Sequence, residues 1–414
     1  MPRRGALLYA LLVLLAGASL IREAAVGRLA RADERWSDLL ARLASPKSAT
    51  APVTLVEISD ETLIKHAWPW GPDDFALFFH AALPFQPAVL ALGEILDFER
   101  DLLAERDPVF ERMLRDHVLR SPKLVLAGRL GWAPDSDTAP DLRPMPVLRK
   151  VKGDLRQVPE FSDVAAWAAE DYRLTTQPGW TNLPDGPGPR GSCPLVLRYR
   201  GQPVPGIVLQ LAMHLEKVTL DEVEVVLDTH DPHIAIGKSR TVPIDETGRM
   251  LVNAGASFGR IAFDDLLLSR EQIDRRETPV QPADFFKGRV ILLARADLES
   301  RLMTAPDGQK ISPGEFFAAS LATIEADAFP RRIGMWFDWS LVGFAAINAL
   351  WLRKWKPWFS VGAVVLILLS YAGTASLVFN SRFLILPIAL PAGLAVWVLL
   401  LRLVARRIEK VIAF

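Results

Sequence analysis

Apolar residues are distributed unevenly along this chain, and that distribution constrains it most. One apolar run, Gly5 to Ile21, opens it, a long stretch of mixed polarity follows, and three more apolar runs fill Met335 to Val404. Such a chain reads as one water-soluble domain hung from a small helical bundle. That is the layout of a receptor or sensor more often than of a transporter, whose polar sites lie inside the membrane. The expected divisions are an N-terminal anchor (1–21), an outer domain (22–334), three transmembrane helices (335–404) and a short basic tail (405–414).

Charge sets the orientation. Arg3 and Arg4 precede the first run, Arg353, Lys354 and Lys356 separate the second from the third, and Arg402, Arg406, Arg407 and Lys410 close the fourth. The short Asn380–Arg382 connection carries one positive charge. Basic residues gather on the cytoplasmic side, which puts both termini there and residues 22–334 outside. Trp336 and Trp339 mark one interface of the second run, and Trp351, Trp355 and Trp358 the other. With 48 basic and 48 acidic residues, nucleic acid is excluded as a bulk electrostatic partner. The single cysteine, Cys193, rules out an intrachain disulfide.

The first run admits two readings, an uncleaved anchor or a signal peptide cut near Ala16-Gly17-Ala18. Beyond it Val26, Leu29, Trp36, Leu40 and Leu43 recur at three- and four-residue steps, interrupted by Asp33. That stripe predicts an amphipathic helix which packs on the outer domain, pairs with a second copy in a homodimer, or lies on the surface. Pro387 and Pro391 predict a kink in the last span, and Asn348 a hydrogen bond between spans.

Within the outer domain, Val53–Ile58, Ala88–Leu92 and Lys123–Ala127 read as buried strands, separated by helical patterns at Asp73–Leu83 and Asp107–Leu119. In the second helix Val109, Phe110, Met113, Leu114 and Val118 make one apolar face. Strand–helix alternation with short joints predicts an α/β fold with a partly parallel sheet and flanking helices. Gln177–Pro194, rich in proline and glycine, reads as long loops. Strands return at Leu195–Tyr199, Val223–Leu227, Met250–Asn253 and Val290–Ala294, with helices at Ile207–Val218 and Pro313–Ala328; Pro122 marks the approach to the third strand. The strand order is not readable.

Asp38–Arg42, Val53–Leu63, Trp68-Pro69-Trp70, Val242–Gly248, Phe286–Leu293, Thr304–Pro306 and Ser312–Gly314, in that order, resemble the CHASE2 domain. The resemblance covers nearly the whole chain. It implies an extracytoplasmic sensory module of a bacterial transmembrane receptor, multi-pass in the cytoplasmic membrane. Two departures stand out. Arg295-Ala-Asp297 replaces the family's glycine-containing turn, and the chain stops at Phe414 where family members continue into a kinase or cyclase. The expectation is a sensor without catalytic output, acting through a separate cytoplasmic partner.

Ligands of open parallel sheets bind at the carboxyl ends of strands. Asp60 and Glu61 follow the first strand, and Glu94, Asp97, Glu99 and Asp101 the second. Such carboxylates suit Mg²⁺, Ca²⁺ or amines, and equally suit a helix cap. Asp60 and Asp97 are expected to lie close together, as the ends of neighbouring strands. Trp68 and Trp70 read as an aromatic wall for a ligand or as a loop fixed against the core. The ligand-binding candidates are thus Asp60, Glu61, Trp68, Trp70 and Asp97, for an unidentified small molecule or protein outside the cytoplasm. His230 and His233 read as a solvated turn, and His66, His80, His117 and His214 are isolated. With no phosphate loop, nucleophile elbow or metal motif, no catalytic residue, metal or cofactor is assigned. A membrane-tethered enzyme built on those carboxylates and a structural envelope protein remain rival readings.

Overall fold

The computed structural model describes residues 3–26, 28–43, 49–98, 108–121, 123–132, 145–173, 175–183, 191–228, 231–297, 302–305, 307–352 and 355–412. Pro122, Glu99, Asp101, Asp107 and His230, on which parts of the sequence reading fall, lie outside them. The chain divides into two compact units, one formed by residues 1–46 and 330–414 and the other by 47–329.

Helices α1 (Arg3–Ala25) and α2 (Ala30–Leu43) open the chain. The α/β unit then carries α3 (Asp60–Lys65), α4 (Pro72–Ala82), α5 (Pro108–Arg120), α6 (Ile207–Leu215), α7 (Phe263–Asp274) and α8 (Pro313–Glu325). Its main sheet contains β1 (Thr50–Ile58), β2 (Val89–Leu92), β3 (Leu124–Gly131), β4 (Asp163–Trp167), β5 (Gln177–Trp180), β6 (Ser257–Ala262) and β7 (Val290–Arg295). The spatial order is β6-β1-β7-β2-β3-β4, with β5 also paired to β3. All neighbours are parallel except β3 and β4. Smaller sheets built from residues 150–251 complete the unit.

Side-chain alternation along the strands explains the layering. Val53, Leu55, Val89, Ala91, Val125, Leu292 and Ala294 share a core with α6 and α8. Val56, Ile58, Leu90, Leu92, Leu126 and Leu293 share another with α4, α5 and α7. A parallel sheet covered on both faces needs apolar residues on both, hence the unbroken apolar runs in β2 and in Val290–Ala294 of β7. Helix starts are set locally. Ser312 Oγ accepts from Glu315 N at 3.1 Å before α8, and Asp74 Oδ2 accepts from Gly71 N at 3.1 Å at the start of α4.

Parts of this unit differ from the sequence reading, among them Ser192–Pro194, a strand paired with Arg249–Leu251 rather than loop. Gln177–Trp180 is a strand rather than loop, because a Cβ on Gly179 would stand 2.7 Å from both Ile207 Cγ1 and Val125 Cγ1. The glycine permits a close approach between layers. In α5 only Leu114 and Val118 are buried, while Val109, Phe110 and Met113 are exposed.

The second unit adds α9 (Met335–Leu352), α10 (Pro357–Arg382) and α11 (Ala389–Ile412). Among the described residues one helix, Trp358–Arg382, is long and apolar enough to cross a membrane. Val13 packs with Ala346, Ala349 and Val398, and Ile21 with Val342, Leu390 and Leu394. A Cβ on Gly17 would meet Val342 Cγ1 at 2.4 Å, so that glycine lets α1 and α9 cross closely. The middle of the apolar stripe turns onto its own chain, while Val26 and Leu43 at its ends are exposed. Leu40 is buried, Trp36 Nε1 donates to Leu386 O at 3.1 Å, and Asp33 lies inside rather than breaking the pattern. Pro391 sits in the first turn of α11, where its missing N–H costs nothing, and Pro387 precedes the helix. Asn348 Nδ2 donates to Phe344 O of its own helix at 2.8 Å instead of to a neighbour.

Candidate functional site

The carboxyl ends of β1, β7 and β2 form one edge of the sheet, with β7 in the middle. The connections leaving β1 and β2 lead to α4 and α5 on one face, whereas β7 leads to α8 on the other. Strand ends where connections part in this way are the usual ligand position in open α/β sheets.

Four side chains converge there. Arg295, the last residue of β7, binds Asp297 through two parallel bonds, Nε to Oδ1 at 2.7 Å and Nη2 to Oδ2 at 2.6 Å. Asp297 is 1% exposed. The Arg295 guanidinium carbon stands 4.5 Å from the centre of the Trp68 ring, a cation–π contact. The Arg295 backbone N–H donates to Glu94 Oε1 at 3.1 Å. Burial pushes the Glu94 carboxyl above its ordinary range, and the Arg295 N–H and charge only partly offset that. The result is a partly desolvated carboxyl beside a neutralised ion pair under an indole.

The other sequence candidates take different places. Ser59, not Asp60 or Glu61, caps α3, its Oγ accepting from Thr62 N at 3.3 Å. Asp60 and Glu61 are exposed in the first turn, where negative charge favours the helix dipole. Thr62 Oγ1 and Lys65 Nζ both reach Asp264 at 2.7 Å and tie α3 to α7. Burial works to raise the Asp264 carboxyl, but those hydrogen bonds and the Lys65 charge outweigh it and hold the group low. Trp70 is 3% exposed, donates to His66 O at 3.0 Å and packs 4.7 Å from the Phe263 ring. It is a core residue. Trp68, joined to Pro69 by a cis peptide, is the half-buried one.

Asp97 is exposed on the 93–98 segment beyond β2. Its expected closeness to Asp60 rested on β1 and β2 being neighbours. Because β7 runs between them, their ends are about 10 Å apart, two strand spacings. The sequence reading passed over Arg295 and Asp297 as site residues, although their departure from the family's turn was visible.

Among the described residues, no group of three or more His, Cys, Asp or Glu side chains is placed to hold a metal ion. His233 lies on a hairpin strand with Nδ1 2.8 Å from Asp231 O. His66 Nδ1 meets Asp74 Oδ1 at 2.9 Å, and burial with the Lys123 charge pushes His214 down to about 4. Burial pushes the Cys193 thiol up to about 12, which leaves it unreactive at neutral pH.

A family model described as the CHASE2 domain matches residues 8–362. Neither the curated proteins nor the solved structures compared with the chain include a match.

Proposed function

The chain belongs to the CHASE2 domain family, and on that premise we propose that it is a membrane-anchored extracytoplasmic sensor of bacterial signal transduction. Its α/β unit would face away from the cytoplasm and bind a small molecule or a protein segment at the crevice of Trp68, Glu94, Arg295 and Asp297. Asp60, Glu61 and Asp97 would form the exposed rim, and Trp70 would hold Trp68 from behind. The observation that carries the reading is the extent of the family match, which runs from α1 through the α/β unit into α10. CHASE2 is a family of sensory domains, not catalytic ones.

In this reading α1, α9, α10 and α11 cross the cytoplasmic membrane. Support comes from the length and apolarity of Trp358–Arg382 and from the large apolar side chains exposed on these helices, among them Leu15, Phe344, Ile347, Leu369 and Leu377. Lipid chains would cover them. The basic residues between α9 and α10 and after α11 support an inward orientation of those ends. Signal would leave through the helices to a cytoplasmic partner, and a homodimer would have the exposed ends of the apolar stripe, Val26 and Leu43, to pair on. Alkaline phosphatase fused after Pro330 should be active and fused after Arg353 inactive. The reverse pattern overturns the orientation.

A further inference from the structure

Between the two units the chain passes only at 46–47 and at 329–330. The first passage follows α2, and the second leads into Arg331–Arg332, a two-residue strand paired in parallel with Leu384–Ile385. Arg331 N donates to Phe383 O at 2.8 Å and Ile333 N to Ile385 O at 3.2 Å. The second passage therefore runs beside the segment that joins α10 to α11.

One carboxylate ties them together there. Asp33 of α2 is 8% exposed in an otherwise apolar stripe, where an unpaired charge would be costly. Its Oδ1 accepts from Ile388 N and Ala389 N, each at 3.0 Å, at the start of α11. Those donors have no partner inside the helix, and they stand at the positive end of its dipole. Its Oδ2 takes the Arg332 guanidinium. Trp36, one turn further along α2, holds Leu386 O. Asp338, in the first turn of α9, lies near enough to feel the charges of Arg332 and Asp33.

A helix N-terminus and an arginine from a different segment thus share a single anion. Withdrawing Arg332 removes one of the three bonds that hold that anion and leaves its second oxygen without this partner. We propose that Asp33 is the joint through which movement of the entry strand 331–333 reaches α11: displacing Arg332 frees the carboxylate and loosens the first turn of the last helix. The sensor reading supplies only the origin of the movement.

Hydrogen exchange of the full chain in lipid nanodiscs tests the joint at the Ile388, Ala389, Leu390 and Ala392 amides. Arg332 touches none of these groups directly, so a purely local cap predicts no effect of its removal. The joint predicts that Arg332→Gln speeds their exchange by about two- to five-fold, the upper part of the range for an ion pair with one exposed partner. Arg332→Lys should stay near wild type, Asp33→Ala should exchange fastest, and adding Arg332→Gln to Asp33→Ala should change nothing further. Wild-type rates in Arg332→Gln, or fully additive effects in the double variant, overturn the proposal. Exchange at Val53–Ile58 reports whether each variant folds. If Arg332→Gln does not, Asp33→Asn replaces it, since Asn keeps an acceptor for the helix but no charge for Arg332. Rates between wild type and Asp33→Ala then support the joint, and wild-type rates overturn it. Failure here leaves the phosphatase fusion result standing, so the two readings fail separately.

Discussion

Gly314, in the first turn of α8, is the point at which that helix rests on β7 beside the crevice. A Cβ there would fall 2.2 Å from the Ala294 Cβ, where carbon atoms ordinarily approach no closer than 3.4–4 Å. Accommodating Gly314→Ala therefore requires α8 and β7 to part by about 1.5 Å, more than a packed interior absorbs without loss. Overpacking of this kind costs about 1–3 kcal/mol. Alanine returns at most about 1 kcal/mol through helix propensity, and less in a first turn. The net expectation is about 1–2 kcal/mol of destabilisation, read as a fall in Tm of about 2–8 °C for a unit of this size. Thermal unfolding followed by circular dichroism checks it. Ala294→Gly removes the facing methyl, so the double variant should recover at least 1 kcal/mol relative to additivity, about the minimum overpacking cost. An unchanged or raised Tm in Gly314→Ala, or strict additivity with Ala294→Gly, would refute the seating of α8 on β7.

His214 is pushed down to about 4 by burial and then by the Lys123 charge, so between that value and its ordinary 6.5 the unfolded chain binds the extra proton. Stability should fall as pH drops from 7 to 5, by up to about 2 kcal/mol, and His214→Gln should lose that part of the slope in denaturant titrations. Removing Arg240 leaves Glu216 facing Glu325, whose carboxyl burial already raises. Arg240→Ala should cost about 3 kcal/mol in the same assay, and a loss below 0.5 would show the cluster to be solvated. Asp60→Asn and Glu61→Gln change exposed residues next to a Ser59 cap and should each stay within about 0.5 kcal/mol of wild type. A loss above 1 kcal/mol would give those carboxylates a structural role.

The sequence by itself determined the central strands β1, β2, β3 and β7 and the closing helix α8. In β2 and β7 the apolar runs were unbroken, and in β1 nearly so, because both faces of a parallel sheet are covered, and such runs are legible without knowing what covers them. The same holds for α8, where Ser312 and Pro313 set the start through bonds within a few residues. Trp68 was recognisable as a candidate because an indole in a proline-flanked loop is conspicuous in any fold. What tertiary structure decided is who meets whom. That β7 enters between β1 and β2 depends on pairing across more than two hundred residues, and no local pattern encodes it. This insertion separates the strand ends that lead to Asp60 and Asp97 and places Arg295 and Asp297 beside Glu94 and Trp68. Gly179 read as loop because composition cannot tell a turn glycine from one that admits a neighbouring helix. Asp33 read as a flaw in an apolar stripe for the same reason: a buried carboxylate is tolerable only when donors arrive, and its donors come from Arg332, Ile388 and Ala389, far along the chain. Periodicity reports burial, but the partner that makes a buried charge stable is a property of the assembled fold.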